Sequence, residues 1–224
     1  MSDTLALVRL LQLASPALPV GAYSYSQGLE GAIESAIVRD AATAERWIGD
    51  VLALSIAGME APVLLRLIEA WDAADLAGVV RWNEVFVASR ETAELRAETL
   101  QMGYSLRELA VELRLENAQA MDAMDEISFP AAFAFAAAAS RIDAREALAA
   151  YLFTWVENQV LAALKAIPLG QTDGQRLLRD IAATIPAWVE RATTLTDDEL
   201  CNFAPGLAMV SSRHESQYSR IFRS

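Results

Sequence analysis

Tyr23 and Tyr25 stand two positions apart in an apolar stretch that reads L-A-S-P-A-L-P-V-G-A-Y-S-Y-S-Q-G-L-E from Leu13 to Glu30. Each phenol brings a ring that packs and a hydroxyl that donates and accepts, so the pair suits either recognition of a partner or plugging of a core. Few other residues come in reactive combinations. The single histidine, His214, is followed directly by Glu215, which gives neither an H-E-x-x-H zinc pattern nor a paired-histidine ligand set; a hydrogen-bonding role fits it better. Cys201 has no third member for a Cys-His arrangement and reads as a small core residue. The carboxylates Glu108, Glu112, Glu116, Asp122, Asp125 and Glu126 could draw a divalent cation, but they read more simply as a solvated helical face. No G-x-x-x-x-G-K-[ST] phosphate cradle occurs. These residue types therefore predict no catalytic group, no cofactor and no metal site.

The elements that must position the tyrosines are helices. Hydrophobic residues make up 54% of the 224, with ten glycines and seven prolines, a mixture suited to close-packed helices. Pro16 and Pro19 remove backbone donors and push the residues before them toward extended geometry, so no helix runs through the tyrosine stretch. Before it, Leu5, Val8, Leu11 and Leu13 predict a short helix; after it, Gln27 to Val38 predicts a second, with Leu29, Ile33 and Ile37 on one stripe. Asp40 is placed to cap a third helix carrying Trp47, Val51, Leu54 and Gly58, a fourth starts near Glu60 with Pro62 in its first turn, and a fifth covers Ala74 to Val87.

From Ser89 the longest amphipathic run sets Leu95, Thr99, Met102, Leu106, Leu109 and Leu113 on one seam and Arg90, Glu91, Glu94, Glu98, Arg107, Glu108 and Glu112 on other faces. Gly103 beside that seam predicts a close backbone contact. Phe129 to Ala139 is nearly all alanine and phenylalanine, and Asp143 with Glu146 opens a central helix reaching Leu164. Its one polar cluster, Glu157-Asn158-Gln159, must find partners by capping a loop, the tyrosine loop being the candidate, or by lining an internal passage. Asp173 caps a helix that Pro186 is expected to kink, Thr196 and Glu199 form a capping box, and a last helix begins near Gly206. The expected fold is all-α: a single-domain helical bundle of about ten helices with no significant sheet, spanning 1–210, followed by a tail at 211–224.

Charge separates tail from body. The net charge is −12; Ser211 to Ser224 holds Arg213, Arg220 and Arg223 against Glu215, or +2, leaving −14 for residues 1–210. An acidic body argues against nucleic acid and anionic membrane as partners, and a basic tail suggests docking on itself or on a partner. The lone cysteine fits a reducing compartment, Asp3 argues against a secretory leader, and Phe129 to Ala139 and Ala147 to Val156 are each about half the roughly 20 residues a span needs. Cytoplasm is the expected location, and uncovered apolar helix faces predict a homodimer.

Four stretches in this order, the tyrosine segment, R-E-T-A-E-L-R around Glu91, I-P-L-G-Q-T-D-G-Q-R-L-L from Ile167 and F-A-P-G-L-A-M-V-S-S-R-H-E-S-Q-Y-S-R-I-F-R-S at the end, resemble the urease accessory protein F family over nearly the whole chain. The resemblance implies an all-helical, dimer-forming protein that is not an enzyme. It would bind accessory protein D (also called H) and with it recruit the GTPase accessory protein G to apo-urease, leading to GTP-dependent nickel insertion. The partner-binding positions expected are Tyr23, Tyr25, Gln27, Arg213, His214, Glu215, Tyr218, Arg220, Phe222 and Arg223, with the tail ordering on the D protein and packing near the tyrosine loop. Arg220 is the expected anchor, stacking on a ring while its fork donates to carbonyls. A different reading stays open: a helical enzyme or binder of an apolar small molecule that uses the Tyr23/Tyr25 loop with Glu157.

Overall fold

The computed structural model describes residues 4–224; Asp3, on which the argument about a leader rests, lies outside them. The described residues form one all-α domain with no strand. Its helices are α1 (Thr4–Leu13), α2 (Leu29–Glu34), α3 (Ala41–Asp72), α4 (Leu76–Ala88), α5 (Ala93–Glu112), α6 (Phe129–Ala139), α7 (Ala144–Ala166), α8 (Gln171–Ala182), α9 (Ile185–Thr194) and α10 (Pro205–His214). The core is built around α6, whose alanines let neighbours approach while Phe133 and Phe135 fill the space between them. The second half of α3 lies on one side of α6 and α5 on another, and α7 closes the packing against α3.

Capping chemistry sets several boundaries as the sequence predicts. Asp40 and Thr43 cap each other reciprocally at the start of α3, and Asp143 accepts from the amides of Arg145 and Glu146; the long helix α5, expected from Ser89, starts later, with Thr92 capping it through the Leu95 N–H. The expected contact at Gly103 is present: a Cβ there would collide with the Ile127 and Ser128 backbone.

Other elements differ. In α1 the buried residues are Ala6, Leu10 and Leu13, while Leu5, Val8 and Leu11 are exposed, because the helix docks its small Ala6 side onto α6. The third and fourth expected helices are one, joined through a π-helical segment, Leu52–Glu60. That segment turns the Leu54 and Gly58 carbonyls toward the later chain, where they accept from Phe203 N–H at 3.2 Å and Cys201 N–H at 3.0 Å. This pairing faces the Cys201 side chain outward, so it is exposed and not a core residue. Pro186 does not kink a helix; it sits in the first turn of α9, where its missing N–H costs little. By length and composition α3 and α7 could each cross a membrane, contrary to the sequence estimate, but 78% and 56% of their apolar windows are buried inside the protein, as core helices are.

Candidate functional site

The chain leaves α1 at Leu13 and runs as an irregular segment to Leu29, crossing the outer end of α7. Gln27 and Gly28 both take left-handed backbone, at φ 50° and 80°. Gly28 is needed for space as well as for its angle, since a Cβ would lie 2.6 Å from Leu207 Cδ1 in α10. The same seam is tight at Gly31, where a Cβ would lie 2.8 Å from the Val210 carbonyl oxygen. These close approaches bring α2 against α10 and so deliver the C-terminal residues to the tyrosine segment.

Glu30 in α2 is the principal holder of those residues. Its carboxylate accepts from the backbone N–H of Ile221 at 2.7 Å and of Phe222 at 2.8 Å, and meets His214 Nε2 at 3.2 Å. His214 is fully buried, and its Nδ1 faces Glu94 of α5 at 2.8 Å. With a carboxylate on each ring nitrogen, the imidazole donates at both positions only when it carries both hydrogens. Arg220 completes the group, its Nη1 on Glu94 at 2.8 Å and its other nitrogens on the carbonyls of Glu215 (2.6 Å) and Gln217 (3.0 Å). Glu94 thus meets the Arg220 guanidinium as well as the imidazole, and Glu30 two backbone amides as well as the imidazole, so both carboxylates are hydrogen-bonded where they are buried.

The last residues pair directly with the tyrosine segment. Arg223 N–H donates to the Ser24 carbonyl at 2.8 Å, and the Ser26 N–H donates to the Ser224 backbone oxygen at 2.9 Å, joined there by the Ser26 hydroxyl. Lys165 Nζ stands 5.9 Å from the Tyr23 ring centre and 5.5 Å from that of Phe222, linking loop and tail. Tyr25 is buried; desolvation pushes its hydroxyl above the usual phenol range, with the Arg223 guanidinium working in the opposite sense.

Behind the loop lies a cavity of about 100 Å³. On its wall Gln27 donates from Nε2 to Glu98 at 2.6 Å and accepts from the Trp155 indole N–H, and Glu98 also accepts from the Ser224 hydroxyl at 2.8 Å. Across the cavity Glu60 holds Arg90 at 3.2 Å and accepts from the Tyr151 hydroxyl. Burial pushes the Glu98 carboxyl up to about 7, and burial together with the Glu60 carboxylate pushes the Tyr151 hydroxyl well above its ordinary value. Within the polar cluster on α7, Asn158 caps the tyrosine loop as expected, its Nδ2 donating to the Tyr25 carbonyl at 3.1 Å; Glu157 and Asn158 line the cavity, and the buried Gln159 Nε2 finds no hydrogen-bond partner among the described residues.

The predicted positions divide accordingly. Gln27, His214, Arg220, Phe222 and Arg223 converge on the tyrosine segment, α2 and α5. Glu215 turns back to the Ala93 N–H at 3.1 Å. Tyr23 and Tyr218 are exposed, as is Arg213. The boundary drawn at 210 falls inside α10, and residues 211–224 lie on the body of the single chain, where the sequence reading expected ordering with a partner. Arg220 uses its fork on carbonyls as expected, while the rings of Tyr23 and Phe222 go to Lys165. Sequence reasoning missed Glu30, Glu94, Glu98 and the Glu60–Arg90 pair. Glu94 and Glu98 were placed on outer faces of the long helix, yet Glu98 is only 3% exposed, because the tail covers that side.

The comparisons with known proteins bear on this same set of segments. The family model described as UreF matches residues 38–182. A protein of Azoarcus sp. (strain BH72) named "Urease accessory protein UreF" is 60% identical over 98% of this chain and 96% of its own length. The chain belongs to the UreF family. Relatives of the same name from Janthinobacterium sp. (strain Marseille) and Dechloromonas aromatica (strain RCB) are 51% and 50% identical, covering 98% and 100% of both chains. The family model stops at residue 182, whereas the UreF relatives align through the tail, so the docked C-terminal segment lies within the similarity.

Proposed function

We propose that this chain is a urease maturation adaptor that acts in the cytoplasm and is not itself an enzyme. With accessory protein D (H) it recruits the GTPase accessory protein G to apo-urease, where nickel is the cargo inserted at the expense of GTP, and it acts as a homodimer. The observation that carries the reading is full-length similarity to proteins named as urease accessory proteins. The site supports it physically. With residues 211–224 docked, the side chains of Tyr218 and Ile221 are 104% and 64% exposed, and Tyr23 on the adjoining segment is exposed too. Apolar groups held outward by a rigid support are suited to protein recognition, because little ordering entropy is left to lose. The D protein would bind this docked segment, and the exposed Leu7, Val8 and Leu11 of α1 offer an apolar face for self-association.

The test is co-purification from cells expressing a urease operon. Deleting residues 211–224 is expected to abolish binding of the D protein. Tyr23→Ala and Arg220→Ala are expected to leave the D complex intact and to lower recovery of the G protein and urease activity. Wild-type recovery of every accessory protein with the deletion would refute the reading.

A further inference from the structure

We propose that the cavity behind the tyrosine segment is a binding site for a small organic ammonium ion, a primary amine carrying a short apolar chain. The first argument is charge. Three carboxylates, Glu60, Glu98 and Glu157, line the cavity with one guanidinium, that of Arg90, and Arg90 is already paired with Glu60. Glu98 receives only neutral donors, the Gln27 amide and the Ser224 hydroxyl. Glu157 has no basic partner among the described residues. A buried carboxylate without a cation is costly, and a cationic ligand relieves that cost where a neutral one cannot.

The second argument is the rest of the wall. Phe129, Phe133 and Tyr151 form a ring cluster with centroids 4.9 to 6.0 Å apart, and Trp155 also lines the cavity. Ring faces beside a carboxylate are the chemistry that holds an ammonium group, the rings taking both its charge and the attached carbon. Phe86 is already used by the Arg90 guanidinium at 4.2 Å; of the other rings, Trp155 is tied to the Glu98 wall through Gln27, and Tyr151 stands beside Glu60. Size sets the chain. A dry cavity of roughly 150 Å³ takes a benzene-sized ring, so a smaller one suits about five non-hydrogen atoms.

The probe is n-butylammonium, titrated into the full chain at pH 8 by ligand-observed NMR, with 1-butanol as its neutral match. One amine per chain is expected to bind at least tenfold more tightly than the alcohol, and Glu98→Gln is expected to erase that preference. A second arm uses the wild-type chain alone and does not depend on how the variant folds. The groups facing Glu98 are Glu60 and Arg90 across the cavity and the hydroxyls of Tyr25 and Tyr151, with Glu157 on the cavity lining, and Glu98, pushed up to about 7, changes state between pH 8 and pH 6. Amine affinity is expected to fall about tenfold over that range, as ionised Glu98 becomes the minor form, while butanol binding stays constant. Absence of saturable amine binding, equal affinity for amine and alcohol, a preference that survives Glu98→Gln, or amine affinity independent of pH would each overturn the proposal.

Discussion

Replacing Glu98 by glutamine isolates the cost of one buried carboxylate. The side chain is 3% exposed and accepts from Gln27 and Ser224, both of which an amide can still satisfy: its oxygen takes the Gln27 N–H, and its nitrogen donates to the Ser224 hydroxyl. Desolvation raises this carboxyl from 4.5 to about 7. The sign follows from linkage. The folded protein holds the proton more tightly than the unfolded chain, so stability is greatest in acid and is lost as pH rises from the unfolded value through the folded one. Integrated from pH 5 to pH 8, that loss comes to roughly 2–3 kcal/mol. Glutamine is neutral throughout. The variant should therefore match the wild-type melting temperature near pH 5 and exceed it at pH 8 by about 5–10 °C, taking about 2–4 °C per kcal/mol for a domain of this size. Differential scanning calorimetry at half-unit steps of pH provides the comparison, and the difference between the two proteins cancels every other titrating group. Parallel melting curves across pH 5 to 8 would refute the reasoning, because they would mean that Glu98 does not hold its proton in the fold.

Glu30→Ala removes the acceptor of two tail amides and one face of His214. Hydrogen exchange at Ile221 and Phe222 should accelerate at least tenfold while α6 amides keep their protection, and unchanged exchange would show that the tail is held by other contacts. Gly28→Ala should destabilise by about 1–3 kcal/mol in denaturant titration, since the residue has φ 80° and its Cβ would press on Leu207. Phe133→Ala, at a position 1% exposed in the centre of the bundle, should cost about 3–5 kcal/mol by the same measurement.

The helices were legible because their signals are local. Asp40 and Asp143 cap the helices they precede, and Gly103 acts as the sequence predicts, because hydrogen-bond geometry and the lack of a Cβ act within a turn or against any neighbour. The tyrosine segment also announced itself, since Pro16 and Pro19, three residues apart, cannot both sit in the first turn of a helix running through them. What an apolar face meets is another matter. α1 is apolar on several sides, so spacing alone could not decide that Ala6 and not Leu5 faces the core; the alanine surface of α6 decided it. The fusion of two expected helices through a π segment goes with its carbonyls accepting from the amides of Cys201 and Phe203, which lie far later in the chain. The candidate site is wholly of this second kind. Glu30, Glu94, Glu98 and His214 look like solvated polar residues in the sequence, and they become a buried network only where α2, α5 and the tail meet. Types and local spacing fixed the helices and singled out the tyrosine segment and the tail, while burial of charge is a property of contacts between distant segments, and only the tertiary structure could decide it.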